Sequence, residues 1–249
     1  MFVAVSTRSF PQLSTEEALK KLADLEYNAA EIVIGSEQSD IKPEWLHQDL
    51  QRCARLAVCC RAIRPVAFFF DVPTDDPFYI QKFELCCQLA RSIRVVVIAV
   101  RSAPLGSPFN EEVERLRKIC SIALHDGLIV GLVTERGAIS QSCDSVLSLC
   151  KNVPHLKVTL DPSCFIYGCE KIIDFDPLVE HVCHIRLRDT TPTQYQVQIG
   201  QGYLEYNRLV IGLNKVRYNG AFCADIPPLP DLDQEVELRK MRLLLESLL

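Results

Sequence analysis

The chain has 249 residues, of which 48% are hydrophobic and 24% charged, with a net charge of -5. That supports one large core and gives no bulk attraction to nucleic acid or an anionic membrane. Twelve cysteines are scattered and form no Cys-x-x-Cys pair, which argues against a structural zinc site.

Apolar strand-like runs recur roughly every 30 residues, the length of a strand-helix unit. The first spans Phe2 to Ser6; a leader is not expected here, because no basic region precedes a long apolar stretch. Ser14-Thr15-Glu16-Glu17 reads as a capped helix start, followed by Ala18, Leu19, Leu22 and Leu25 at helical spacing. The second strand runs from Ala29 to Ile34, and Trp45 falls on a helix with Leu46 and Leu50, where packing is its expected role. The third strand lies around Ile63 to Phe70. The fourth, Arg94 to Val100, has the β-branched character of a parallel strand covered on both faces. Asn110-Glu111-Glu112-Val113 opens a helix with Leu116, Ile119 and Ala123 on one face. The remaining strands end near Glu135, Asp161, Leu187 and Ile226. A weak sixth helix is read over Glu170 to Glu180, and an amphipathic one closes the chain from Leu232 to Leu249. No Gly-, Pro- or Ser-rich linker divides the chain, so residues 1–249 are read as one α/β domain, a single (β/α)8 TIM barrel. An open doubly wound sheet is the runner-up, but Ser6-Thr7-Arg8-Ser9 is not the glycine-rich phosphate turn it needs. No segment has ~18 uncharged apolar residues, so no membrane span is expected, and the many free thiols suit a reduced, cytoplasmic protein.

Three of these strands run from an apolar stretch into one carboxylate: Leu128 to Glu135, Val158 to Asp161 and Ala221 to Asp225. A fourth, Cys183 to Leu187, carries Arg186 at a comparable place. In a barrel such ends converge at the C-terminal mouth, where chemistry is sited. Carboxylates gathered there repel one another and resist desolvation, so a cation must sit among them. A metal ion or Arg186 could fill that role.

The ordered motifs resemble the xylose-isomerase-like TIM barrels, which include sugar-phosphate isomerases and epimerases and belong to an AP endonuclease 2-like superfamily. Ala29-Ala30-Glu31-Ile32 resembles that family's second-strand end, and Glu135 falls where it has Glu-Asn-His. Leu160-Asp161-Pro162-Ser163 matches Leu-Asp-Pro-Ser-His, with Cys164 in place of the histidine. His184-Ile185-Arg186-Leu187-Arg188-Asp189 matches His-x-His-x-x-Asp, with Arg186 replacing the second histidine. Gly200 to Tyr206 matches the glycine-rich turn before the seventh helix, and Asp225 stands where the family ends its last strand in Glu.

The resemblance implies a metal held by strand-end Glu, Asp, His and Glu, and proton shuttling through an enediol by two acids. Carried over, Glu135 and Asp225 are the catalytic pair, with Arg186, Arg188, Asp161 and His184 binding substrate. The third metal ligand would be Arg186, which has no lone pair to donate and stays protonated. No resident metal is therefore expected. The alternative is a divalent Mn, Mg or Zn ion on Glu135, Asp161 and Asp225. On charge grounds Arg186 takes the place of the metal, clamped by Glu135 and Asp161, or by Asp225. The implied ligand is a small sugar or sugar phosphate, with Arg8, Arg101, Arg136 and Arg188 available to an anion. A homodimer is also an expectation of the family. The second reading is a non-catalytic barrel that binds a small anion or a protein partner. A DNA-repair endonuclease fits poorly, because the chain has only five histidines.

Plainer readings stand beside these. Glu135 could be a satisfied mouth carboxylate, Asp161 a turn starter, Arg186 a structural ion-pair partner and Asp225 strand-exit chemistry. His184 reads first as a hydrogen-bonded core histidine and Cys164 as a buried thiol. Arg188 and Asp189 could pair locally, and the Gly200–Gly202 turn reads as a tight turn rather than a phosphate cradle.

Overall fold

In a computed structural model, residues 1–35 and 39–249 are described. Eight parallel strands close into a barrel in sequence order. They are β1 (Phe2–Ser6), β2 (Ala29–Ile34), β3 (Arg64–Phe70), β4 (Val97–Val100), β5 (Ile129–Val133), β6 (Lys157–Leu160), β7 (Val182–Leu187) and β8 (Ala221–Ala224). The ring is completed by β1 pairing with β8, Ala4 opposite Cys223. The helices are α1 (Thr15–Asp24), α2 (Pro43–Gln48), α3 (Leu50–Ala57), α4 (Tyr79–Ile93), α5 (Phe109–His125), α6 (Cys143–Asn152), α7 (Tyr206–Lys215) and α8 (Gln234–Glu246). The single barrel expected from the strand spacing is the fold observed.

Local chemistry sets the helix starts. Ser14 closes a capping box with Glu17, and the Asp233 carboxylate accepts from the amides of Glu235 and Val236. The expected helix over 170–180 is a correction: a short 3-10 turn at Asp176–His181, with proline in its first turn, occupies that connection. The segment lacks a continuous apolar stripe to bury, and β2 is instead followed by two helices, α2 and α3.

Period-two alternation sorts the strand side chains. Val5, Ile32, Phe68, Ile98, Leu132, Leu160, Ile185 and Phe222 belong to the continuous core between strands and helices. The opposite faces line the barrel. Ala4, Ala29, Ala221 and Cys223 pack together in one group, and Val33, Phe69, Ala99 and Val133 in another. On β7 the inward set is His184, Arg186 and Arg188, and on β8 it ends in Asp225. The barrel interior is therefore apolar towards β3–β5 and ionic towards β6–β8. Trp45 does not pack as expected: it is over a third exposed, with Lys42 and Arg52 against its ring.

Candidate active site at the barrel mouth

The expected ion cluster exists, but with different partners. Arg186 is buried and pairs with Glu31 on β2, its Nε donating to Oε2 at 3.0 Å and its Nη2 to Oε1 at 2.9 Å. The expected clamp by Glu135, Asp161 or Asp225 is thus corrected. Arg186 lies two residues before Arg188 on β7, one level deeper than those acids. Glu31 is the carboxylate at its level on the far wall, because β2 places it opposite Ser6 rather than at its own strand end. His184 Nε2 lies 3.1 Å from Glu31 Oε2. This is the hydrogen-bonded core histidine of the plainer reading. Phe69 lies under the guanidinium, 3.8 Å from Cζ to the ring centroid.

One level up, Arg188 joins the other two acids. Its Nη2 donates to Asp161 Oδ2 at 2.8 Å and to Asp225 Oδ2 at 2.7 Å. Arg8 Nη1 adds a bond to Asp225 Oδ2 at 3.2 Å. Asp161 Oδ1 accepts from the Ser163 amide, so this carboxylate also caps the turn after β6. The possible Arg188–Asp189 pair does not form. Asp189 instead accepts from Tyr206 Oη at 2.6 Å and from the amides of Gly200 and Gly202. The Gly200–Gly202 turn therefore wraps Asp189. Gly200 has φ of 93°, and a Cβ on Gly202 would fall 2.7 Å from the Asp189 carboxyl carbon.

The third group is the accessible one. Arg101, at the end of β4, donates from Nε to Asp71 Oδ1 at 2.8 Å and from Nη1 to Glu135 Oε1. All three side chains are 21–32% exposed. They line a cleft of about 970 Å³ together with Arg115, Arg136 and the loops after β3, β4 and β5. Asp71 was missed in the sequence, although Phe68-Phe69-Phe70-Asp71 carries the same apolar-run-into-carboxylate signature as the other three strands.

Electrostatics separate these levels. Burial opposes the Glu31 charge, but Arg186 and His184 outweigh it and hold its carboxyl below the usual range. Burial likewise opposes charge on Asp225, and Arg8, Arg188 and Arg186 drive it well below the ordinary 3.8. Asp225 is thus a buried carboxylate held in its charged form by the arginines around it. Cys164 is buried and its thiol is pushed up, chiefly by desolvation, as the buried-thiol reading expects.

Both depressed carboxyls give stability that is present above their unfolded values of 4.5 and 3.8 and lost as pH falls through the lower folded ones. Urea midpoints are therefore expected to be flat from neutral pH to roughly pH 5 and to fall steeply below it. Asp225→Asn should flatten that acid limb; a limb of unchanged steepness would contradict the assignment.

Glu135, Asp161 and Asp225 do not bring their ligand atoms within 4.8 Å of one another; Glu135 pairs with Arg101, and Asp161 and Asp225 with Arg188. Among the described residues, one group of three has ligand atoms within 4.8 Å of one another: Glu31, His184 and Cys223. These do not fit a divalent ion as they stand. Both Glu31 oxygens already accept from Arg186, whose charge opposes a cation. Burial, reinforced by Glu31 and Asp225, also pushes the Cys223 thiol well above its usual value.

The family model described as xylose isomerase-like TIM barrel matches residues 19–242. The chain belongs to that family. No curated protein matches it by sequence. Among solved structures, a D-tagatose 3-epimerase-like protein superimposes with a TM-score of 0.76 at 16% identity, covering 100% of this chain and 98% of the other. The 3-keto-D-glucoside 4-epimerase of E. coli gives 0.76 at 12% identity, covering 99% of each chain. An IOLI protein with a zinc atom gives 0.76 at 13%, covering 100% of this chain and 98% of the other. At these identities the likeness concerns the fold. No described helix is long and apolar enough to cross a membrane.

Proposed function

We propose that the protein is a sugar isomerase or epimerase that moves a proton at the carbon beside a carbonyl, with Glu135 as the base and Arg101 as the electrophile. The observation that carries this reading is the Asp71–Arg101–Glu135 group, charged and accessible in the large cleft. Glu135 would take the proton from the α carbon of a hydroxy-ketone. A guanidinium N–H of Arg101 would then stabilise the oxygen of the resulting enediolate. Return of the proton to the neighbouring carbon isomerises the sugar. Delivery to the opposite face of the same carbon epimerises it; this requires Asp71 to have taken a proton from solvent first, with Glu135 afterwards releasing the one it abstracted. In this reading Asp225 and Asp161 fix Arg188, and Glu31 with His184 fixes Arg186, so these residues shape the mouth instead of transferring protons. Sugar epimerases among the structural neighbours make the same class of substrate reasonable.

The reaction is drawn without a metal-dependent step, because Arg186 sits on the one acid that a metal-binding cluster here would need. Incubation with a panel of ketoses in deuterated water, read by NMR, tests the reading: deuterium should enter the carbon next to the carbonyl. Elemental analysis of protein prepared without chelator should find substoichiometric Mn, Zn and Mg. Exchange that appears only on adding a divalent ion would refute the metal-free form.

A second reading, a non-catalytic binder, is favoured by one observation: Arg8, Arg101, Arg186 and Arg188 each already pair with a carboxylate. It predicts ligand-induced thermal shifts without deuterium entry.

A further inference from the structure

Arg188 is 2% exposed, yet only one of its three nitrogens is used. Its Nε and Nη1 have no partner, and neither has Asp225 Oδ1 beside it. Three buried polar atoms without partners in one cluster are unusual, since each costs about 1–3 kcal/mol if left bare. The Tyr195 ring covers the guanidinium, with its centroid 4.5 Å from Cζ, and is itself 39% exposed. It follows a tight turn, in which Thr191 N donates to Gln194 O, and its carbonyl accepts from Thr190 Oγ1.

We propose that Arg188 and Asp225 form a ligand subsite for an uncharged hydroxyl or carbonyl group, gated by the Tyr195 ring. The chemistry of the open atoms selects the occupant. Two N–H donors require an acceptor, and Asp225 Oδ1 requires a donor. A neutral hydroxyl meets both, and a carbonyl with a neighbouring hydroxyl meets them with two atoms. A phosphate or carboxylate could accept from Arg188, but it would face Asp161 and Asp225 at close range. The guanidiniums at that level, Arg8 and Arg188, are already engaged by these carboxylates. Across the three levels, the carboxylates of Glu31, Asp71, Glu135, Asp161 and Asp225 meet the guanidiniums of Arg8, Arg101, Arg186 and Arg188. At the level of Arg188 itself, Asp161 and Asp225 balance Arg8 and Arg188, so the subsite has no net positive charge to hold a dianion. The expectation of a sugar phosphate drawn to free arginines is therefore replaced, within the sugar reading on which this inference rests, by an unphosphorylated ligand. Arg188 is absent from the lining of the large cleft, so the ring must swing aside for the subsite to fill.

The test is an NMR titration with dihydroxyacetone and, separately, with inorganic phosphate, following the Nε–H signal of Arg188 in the wild type and in Tyr195→Ala, Tyr195→Phe and Glu135→Gln. Dihydroxyacetone should shift that signal and phosphate should not. Tyr195→Ala, which removes the ring that must leave, should bind roughly five- to tenfold more tightly, and Tyr195→Phe, which keeps it, should match the wild type. Glu135→Gln should bind unchanged even where deuterium entry is lost, so failure of the catalytic reading is distinguishable from failure of the subsite. Asp225→Asn should retain the fold and weaken binding, because its amide can present a donor to the ligand where the carboxylate oxygen accepted. Phosphate binding at Arg188, equal affinity in Tyr195→Ala and wild type, or no dihydroxyacetone response in any variant would each overturn the proposal.

Discussion

Glu135→Gln is expected to lower the rate of deuterium entry into a ketose substrate by roughly 10²–10⁴-fold, the usual contribution of a positioned general base. The reason lies in the place of the side chain. Glu135 follows β5 by two residues, it is about a third exposed, and it faces the cleft beside Arg101. Glutamine keeps the shape and can still meet a guanidinium edge, but it cannot accept a carbon-bound proton. Stability should change little, because the Glu135–Arg101 pair is solvent-accessible and such pairs contribute roughly 0–1 kcal/mol. Thermal unfolding of the same preparation separates the two effects. A variant that unfolds much earlier would place Glu135 among the structural groups, and one that retains full exchange would remove it from the reaction. Asp71→Asn gives the companion measurement. Epimerisation should suffer more than deuterium entry, since Asp71 is assigned to the opposite face.

The second large effect is on stability. Arg186→Leu is expected to destabilise the fold by about 3–5 kcal/mol, because it strands the Glu31 carboxylate in the barrel interior with only His184 beside it. For a chain of this size that corresponds to a melting temperature lower by about 10 °C. Removing both partners should be far milder. Glu31→Leu combined with Arg186→Leu leaves no buried charge, and well-packed apolar replacements of buried ion pairs are often neutral or stabilising. The double-mutant cycle then reads the coupling directly. A double variant as unstable as Arg186→Leu alone would show that the guanidinium matters for its packing over Phe69 and not for its charge. Deuterium entry measured in the double variant also tests whether the deep pair serves only to hold the mouth.

Much of the architecture was legible in the chain. The strands are short apolar runs, β-branched most clearly in β2 and β4, of the length that a parallel sheet covered by helices requires, and their 30-residue spacing pointed to a barrel. The capped start at Ser14 and the amphipathic stripe of the last helix were local signals and were read correctly. The sixth helix was overread, because a proline-led stretch without a periodic apolar face has no preference strong enough to persist as a helix. Of the candidate site, Arg186 as an internal counter-charge was visible as a departure from the family's His-x-His pattern. Its partner was not.

That difference has a physical cause. Period-two alternation within a strand fixes which side chains face the barrel, and it can be read from sequence. The height of each residue on the barrel wall depends on the stagger between strands, which no single strand encodes. Stagger puts Glu31 level with Arg186, lifts Arg188 to Asp161 and Asp225, and leaves Glu135 to Arg101 and Asp71. The amino-acid sequence by itself determined a barrel whose mouth gathers carboxylates and guanidiniums. Only the tertiary structure decided which acid meets which arginine, and therefore which charges are locked away and which remain open to a ligand.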